Sequence, residues 1–288
     1  MPFVVLGIGL VAISFGAILA RLAQGFGLPS LAIAALRLGL AFVLITPVVL
    51  WGSLPTLRAL SRQQLLLALG AGFFLALHFA TWISSLEYTS VASSTALVTT
   101  NLLWIAIASF VLFGKKPNRL TAVGMAVSLA GSGLIFWSDS GGPGVNPSLG
   151  NALALAGSWC FSAYLLIGRR LRADTPLPAY IWLAYGTAAL FLLLGCGAAN
   201  VELSGYSAPA YLAALGMALG PQLLGHTAYN WSLKHVSAIF VAVVTLGEPV
   251  GSAALAWVFF GESFAPAQAA GFVLLLGGIY LAARGEAR

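Results

Sequence analysis

The chain has 288 residues, of which 60% are hydrophobic and only 7% charged, against about 25% charged in a soluble domain. Its mean hydropathy of +0.98 excludes a soluble globular fold, which could not hide that much apolar surface. The net charge of +6 does not mark a nucleic-acid binder, because the bases are scattered among loops and do not share one soluble face.

Charges sit in short groups separated by long charge-free stretches, such as Leu38 to Leu57, Gln63 to Leu86 and Leu203 to Leu233. A hydrocarbon core roughly 30 Å thick takes about 20 apolar residues in a helix, and most of these stretches meet that length. Stretches such as Leu65 to Leu77 do not alternate polar with apolar residues, so they read as helices, not barrel strands. In chain order, the predicted spans are 3–21, 30–51, 64–86, 91–112, 120–138, 149–169, 178–199, 209–232, 237–259 and 264–283. Pro29, Pro178 and Pro209 lie near span starts, where proline is tolerated. The first span has no Lys or Arg before it, so it lacks a signal-peptide n-region and reads as a retained helix. The Gly-, Ser- and Pro-rich stretch from Ser138 to Ser148 reads as the joint between halves.

Loop charges set orientation. With a cytoplasmic N-terminus, the inside loops and C-terminus hold Arg58, Arg62, Lys115, Lys116, Arg119, Arg169, Arg170, Arg172, Lys234, Arg284 and Arg288, which are 11 of the 13 bases. Arg21 falls outside and Arg37 within the second span. The expected fold class is therefore an all-α polytopic membrane protein with ten transmembrane helices and both termini cytoplasmic.

The second half repeats the first at an offset of 147 residues. Leu86 matches Leu233, Ser90 matches Ser237, Phe113-Gly114 matches Phe260-Gly261, Gly124 matches Gly271, and Gly131 matches Gly278, all without a gap. Five spans per copy is an odd number, so the copies run in opposite senses through the bilayer. Inverted repeats are a recurrent plan of secondary transporters, with the site near the midplane between copies. The expected organisation is a first repeat at 1–138, a linker at 139–148 and a second repeat at 149–288.

Two five-helix halves, the phrase Thr245-Leu-Gly-Glu-Pro-Val250 and the later Phe259-Phe-Gly-Glu-Ser263 resemble the second repeat of the drug/metabolite transporter superfamily, and more narrowly its EamA-type exporters with ten helices. Within that group the chain is most similar to bacterial aromatic amino acid exporters. The resemblance implies a bacterial inner-membrane carrier that moves amino acids and related metabolites outward. The first repeat departs from the pattern: Asn101-Leu102 stands where Glu248-Pro249 stands in the second, and Lys115 where Glu262 stands.

A charge at the bilayer centre costs roughly 2.5–3.5 kcal/mol on insertion scales, which makes the intramembrane polar residues the site candidates. Glu248 is near mid-span; it carries a coupling proton, meets a substrate amine, or stays neutral and hydrogen-bonded beside Pro249. His78 and His226 read as proton relays or as hydrogen-bonded packing residues. His78 and Trp82 share one helix face, as do Gln222, His226, Tyr229 and Asn230. Ser14, Phe15, Ser158, Trp159, Ser162, Trp182 and Tyr185 are further polar or aromatic candidates. Trp51, Trp137 and Trp257 read as interfacial anchors. Arg37 either snorkels outward or attracts a carboxylate. The expected substrate-binding set is His78, Trp82, Asn101, Trp159, Tyr229 and Glu248, with the aromatic members on the apolar part of the substrate.

Gly216 and Gly220 form a GxxxG motif, and Gly124, Ser128 and Ser132 a small-residue ladder; both read as close helix packing. Cys160 and Cys196 fall inside spans and read as packing residues. No HExxH, GxSxG or Cys-rich set occurs, so neither an enzyme nor a cofactor or metal is expected. The expected partners are a small-molecule substrate and the lipid bilayer, with no nucleic acid and a monomeric chain. A carrier of drugs or nucleotide sugars is the alternative within transport, although nucleotide sugars want several interior bases and only Arg37 is deep.

Overall fold

The computed structural model describes residues 2–114, 117–138, 145–236, 241, 244, 245, 247–263 and 265–286. Among them every element is a helix. Six helices are long and apolar enough to cross a membrane: Pro2–Gly25, Ser30–Gly52, Arg62–Tyr88, Arg119–Ser138, Pro147–Arg172 and Leu177–Ala198. Pro2–Gly25 is divided at Phe15 into α1 (Pro2–Ser14) and α2 (Gly16–Gly25); α3 is Ser30–Gly52, followed by the short α4 (Leu54–Arg58) and by α5 (Arg62–Tyr88). Ser61 starts α5 with a capping box: its hydroxyl accepts from Gln64 N, and Gln64 Oε1 accepts from Ser61 N at 2.9 Å, which satisfies two orphan donors at once.

Several expected spans are interrupted. The span at 91–112 is two helices, α6 (Val91–Val98) and α7 (Asn101–Phe113), with a break at Thr99 and Thr100. The hydroxyls explain the break: Thr99 Oγ1 lies 3.0 Å from Ala96 O, and Thr100 Oγ1 donates to Leu97 O at 2.8 Å. Such back-bonding competes with the helical ladder. After α8 (Arg119–Ser138), α9 (Pro147–Arg172) and α10 (Leu177–Ala198), the span at 209–232 has three parts: α11 (Ala208–Met217), a π-helical segment at Ala218–His226 and α12 (Thr227–Ser232). Pro221 lies inside the π segment; it removes a backbone donor, and the wider turn is the form a helix takes around such a gap. Residues 237–240, 242, 243 and 246 of the ninth expected span lie outside the described residues, as do Lys115, Lys116, Asp139, Arg288 and most of the expected linker. Besides residues 241, 244 and 245, the described part of that span is α13 (Gly247–Phe260), and the last helix is α14 (Pro266–Glu286).

Helices at matching positions of the two halves pack on each other: α8 on α14, α3 on α10, and α6 on α13. The α8–α14 seam is antiparallel and backbone-close. A Cβ on Gly124 would lie 2.6 Å from Gly278 O, and one on Gly131 would lie 2.8 Å from Gly271 O. The offset of 147 turns the first of these contacts into the second, so the seam maps onto itself when the halves exchange. Ser128 belongs to it through Leu275 O, at 3.3 Å. Helix ends repeat as well. Gly114 and Gly261 both adopt φ of 65°, with their amides donating to Phe110 O and Trp257 O. Only glycine takes that left-handed conformation without strain.

Two sequence readings need correction. Gly216 does face Leu19, at 3.4 Å, but Gly220 meets nothing within 4 Å, so the GxxxG motif is not a close-packed pair; the π segment that begins at Ala218 turns Gly220 away. Arg172 is not a solvated loop charge. It is buried, with Nε donating to Asn230 O at 3.2 Å and Nη1 donating to Thr175 O, so it ties the end of α9 to α12. Trp51, Trp137 and Trp257 stay exposed near helix ends.

Candidate functional site

The helix breaks converge on one enclosed cavity. It is lined by Ile13 of α1, Arg37 of α3, His78 and Trp82 of α5, Val98 and Thr99 at the end of α6, and Asn101 at the start of α7. Phe161 of α9, Pro221 and His226 of the π segment, Tyr229 of α12, Thr245, and Glu248 in the first turn of α13 complete the wall. About 20 Å³ of it is open to the centre of a water molecule, which is room for a water and not for a metabolite.

Each break is held by a neighbour. Ser162 Oγ donates to Asn101 O at 3.1 Å, and Ser158 Oγ contacts Thr100 Oγ1 at 2.9 Å, so α9 grips both sides of the α6–α7 junction. That leaves the Asn101 side chain with both polar atoms buried and, among the described residues, unpartnered. Arg37 reaches across from α3: its Nε donates to Gln222 Oε1 at 2.8 Å, and its guanidinium carbon lies 3.9 Å from the Phe79 ring centroid, a cation–π contact. His78 Nδ1 is 2.9 Å from Gly157 O. A carbonyl only accepts, so Nδ1 carries the hydrogen. The His78 ring is parallel to Trp82 (centroids 6.0 Å apart, 1° between planes) and tilted against His226 at 6.3 Å. Trp82 Nε1, His226 Nδ1, Tyr229 Oη and Arg37 Nη1 are likewise buried without partners among the described residues. Since more than nine in ten buried polar groups are normally paired, this concentration sets the chamber apart from the packing around it.

Five of the six expected site residues, His78, Trp82, Asn101, Tyr229 and Glu248, line this cavity. Trp159 does not. It is 58% exposed, packed edge-on to Trp104 at 5.0 Å on the outer face of α9. Ser158 and Ser162, one turn apart, mark the inward face of α9, and the residue that shares that face is Phe161, which stacks on His78 at 4.8 Å. The serine spacing was the signal for Phe161. We expect Phe161→Ala to lower transport about tenfold and Trp159→Ala to leave it within twofold, in uptake by liposomes; equal losses would return Trp159 to the site. Arg37 does not snorkel: it is 1% exposed and faces the cavity, because Gln222 and Phe79 hold it inward. Of the face containing Gln222 to Asn230, His226 and Tyr229 reach the cavity, whereas Asn230 donates to Tyr164 Oη at 2.6 Å beside it. Ser14 and Tyr185 serve packing, through Leu10 O and Thr227 Oγ1. Trp182 donates to Thr46 Oγ1 at 2.8 Å, and Phe15 is exposed. Among the described residues no three metal-ligating side chains converge, although His78, His226 and Glu248 share the chamber.

A model of the EamA-like transporter family matches this chain twice, at residues 2–137 and again at 148–284. The chain belongs to the EamA-like transporter family. It is accordingly a multi-pass membrane transporter of the drug/metabolite superfamily, a group of transporters and not of enzymes, and the two matches fit a two-repeat membrane fold. No curated protein matches it. A solved structure titled only "Crystal structure of protein" superposes with a TM-score of 0.67 at 23% identity, covering 96% of both chains; at that identity it speaks for the fold alone.

In this EamA-like transporter, a polar network ties α2, the α5–α6 junction, α9 and the segment after α13 together. Arg21 Nη1 pairs with Glu262 at 3.2 Å, Arg21 Nη2 donates to Thr89 O at 2.7 Å, and Glu262 Oε2 accepts from Val91 N at 2.9 Å. Thr89 also donates to Asn151 Oδ1 at 2.9 Å. Glu262 thus serves both as counter-ion to α2 and as a partner for the first amide of α6. Removing its charge should loosen this network. In a chain with Cys160 and Cys196 replaced and Thr99→Cys introduced, Glu262→Gln should speed labelling by a membrane-impermeant maleimide at least fivefold. An unchanged rate would mean that the network does not control access to Thr99.

Proposed function

We propose that this chain is a secondary-type exporter of small metabolites, among them amino acids including aromatic ones. It would span a bacterial inner membrane ten times, with both termini cytoplasmic. Two inverted five-helix repeats, 1–138 and 149–288 joined by 139–148, would rock around the central cavity to give alternating access. The supporting observation is the chamber itself: small, closed, ringed by aromatic side chains and by unpartnered polar atoms, and assembled where helices from both halves are broken. A closed chamber with room for a water has to widen before a metabolite enters, which is the behaviour of a carrier and not of an open pore. His78, Trp82, Asn101, Tyr229 and Glu248 are the proposed substrate contacts, joined by Phe161.

Purified protein in liposomes should show saturable uptake and counterflow of radiolabelled phenylalanine, with competition across a panel of amino acids. Linear, non-saturating flux would make it a channel. Saturable flux with no amino acid competing would move the cargo to another class, drugs first. Tags on the two chain ends should both face the cytoplasm; finding them on opposite faces would break the inverted-repeat scheme.

A further inference from the structure

Arg37 and Glu248 are a base and an acid that line the same chamber and do not meet. Arg37 offers five donors. Nε is taken by Gln222 and one face of the guanidinium by Phe79, while Nη1 is buried and has no partner among the described residues. Glu248 is 8% exposed and, among the described residues, makes neither a hydrogen bond nor an ion pair. Buried charges are normally paired, and a guanidinium and a carboxylate free to approach would form a bidentate fork. Here the fold keeps them apart, with Gln222 and Phe79 anchoring one and α13 the other. At the repeat offset of 147, Arg37 corresponds to Ala184 and Glu248 to Asn101, so neither charge belongs to the packing that the two halves share.

Trp82, Phe161 and Tyr229 also line the wall. A ligand that satisfies both charges has an anion at one end of a short head, a cation at the other, and an apolar body for the rings. We infer that Arg37 takes the α-carboxylate and Glu248 the α-ammonium of a free amino acid, so that the site selects the zwitterion over the related amine or acid. A planar carboxylate matches the guanidinium fork, and with a single deep base the site does not suit phosphorylated cargo. The inference rests on the transport reading above and adds to it the chemistry of recognition.

The test is binding to the purified full chain by titration calorimetry, with L-phenylalanine, phenethylamine and 3-phenylpropionate. Wild type should bind phenylalanine at least tenfold more tightly than either analogue. Arg37→Gln should weaken phenylalanine at least tenfold and leave phenethylamine within twofold, while Arg37→Lys should recover part of the loss. Analogues that bind wild type as well as phenylalanine does would overturn the inference whether or not the variants fold, and so would an Arg37→Gln protein that weakens phenylalanine and phenethylamine alike. These results are separable from failure of the transport reading. If wild type moves phenylalanine saturably while the analogues compete equally, recognition fails alone; if it neither moves nor binds any amino acid, the amino-acid cargo proposed above fails and this inference with it.

Discussion

Leucine in place of Gly124 or Gly278 should abolish the stable fold, measured as loss of a monodisperse peak and a drop in the detergent melting temperature. The space for a side chain does not exist at either position. A Cβ at Gly124 would collide with Ala282 N, and one at Gly278 with Ser128 N. Both obstacles are backbone of the facing helix, which cannot rotate out of the way as a flexible side chain can. Ordinary overpacking costs about 1–3 kcal/mol, and forcing whole helices apart costs more, because in lipid helices associate through close packing and have no hydrophobic drive. The same substitution at Gly133 or Gly277, which meet nothing within 4 Å, should leave the melting temperature within about 2 °C. If all four variants behave alike, the α8–α14 seam is not the close contact described.

The second large effect is expected at Glu248. Glu248→Gln keeps the shape and removes the charge, and phenylalanine uptake should fall between tenfold and a hundredfold, matching the roughly 1.5–3 kcal/mol of a hydrogen bond to a charged group. Binding of 3-phenylpropionate, which has no ammonium to lose, should change less than twofold. The protein should remain folded, because Glu248 makes no hydrogen bond or ion pair among the described residues. A Glu248→Gln carrier with normal uptake would remove this residue from both substrate binding and coupling.

The effect at Glu248 traces to how a membrane helix is interrupted. Within hydrocarbon, irregular backbone is tolerated only where protein or a water-filled cavity covers it. The Thr99–Thr100 break is covered by Ser158 and Ser162 of α9, and the proline-bearing π segment presents Gln222 to Arg37 and His226 to the chamber. The site is therefore a product of the breaks, and the unbroken helices around it act as the frame.

Much of this was legible along the chain. The charge-free stretches locate the membrane helices because lipid excludes charge wherever it is not shielded, and this constraint acts residue by residue. The 147-residue offset and the lone Glu248 are equally local signals, as are Gly114 and Gly261, matched by sequence before they matched in backbone angle. What the tertiary structure decided is direction and partnership. Arg37 is drawn inward by Gln222, 185 residues away, and no helical wheel contains that contact. Phe161 and not Trp159 reaches the chamber because a rotation of about 100° per residue makes neighbours on α9 face opposite environments, and only packing against α5 shows which face is inside. The breaks at Thr99–Thr100 and Pro221 interrupt apolar runs that hydropathy reads as continuous, since hydropathy senses transfer to lipid and is blind to the backbone hydrogen bonds that a neighbouring helix replaces.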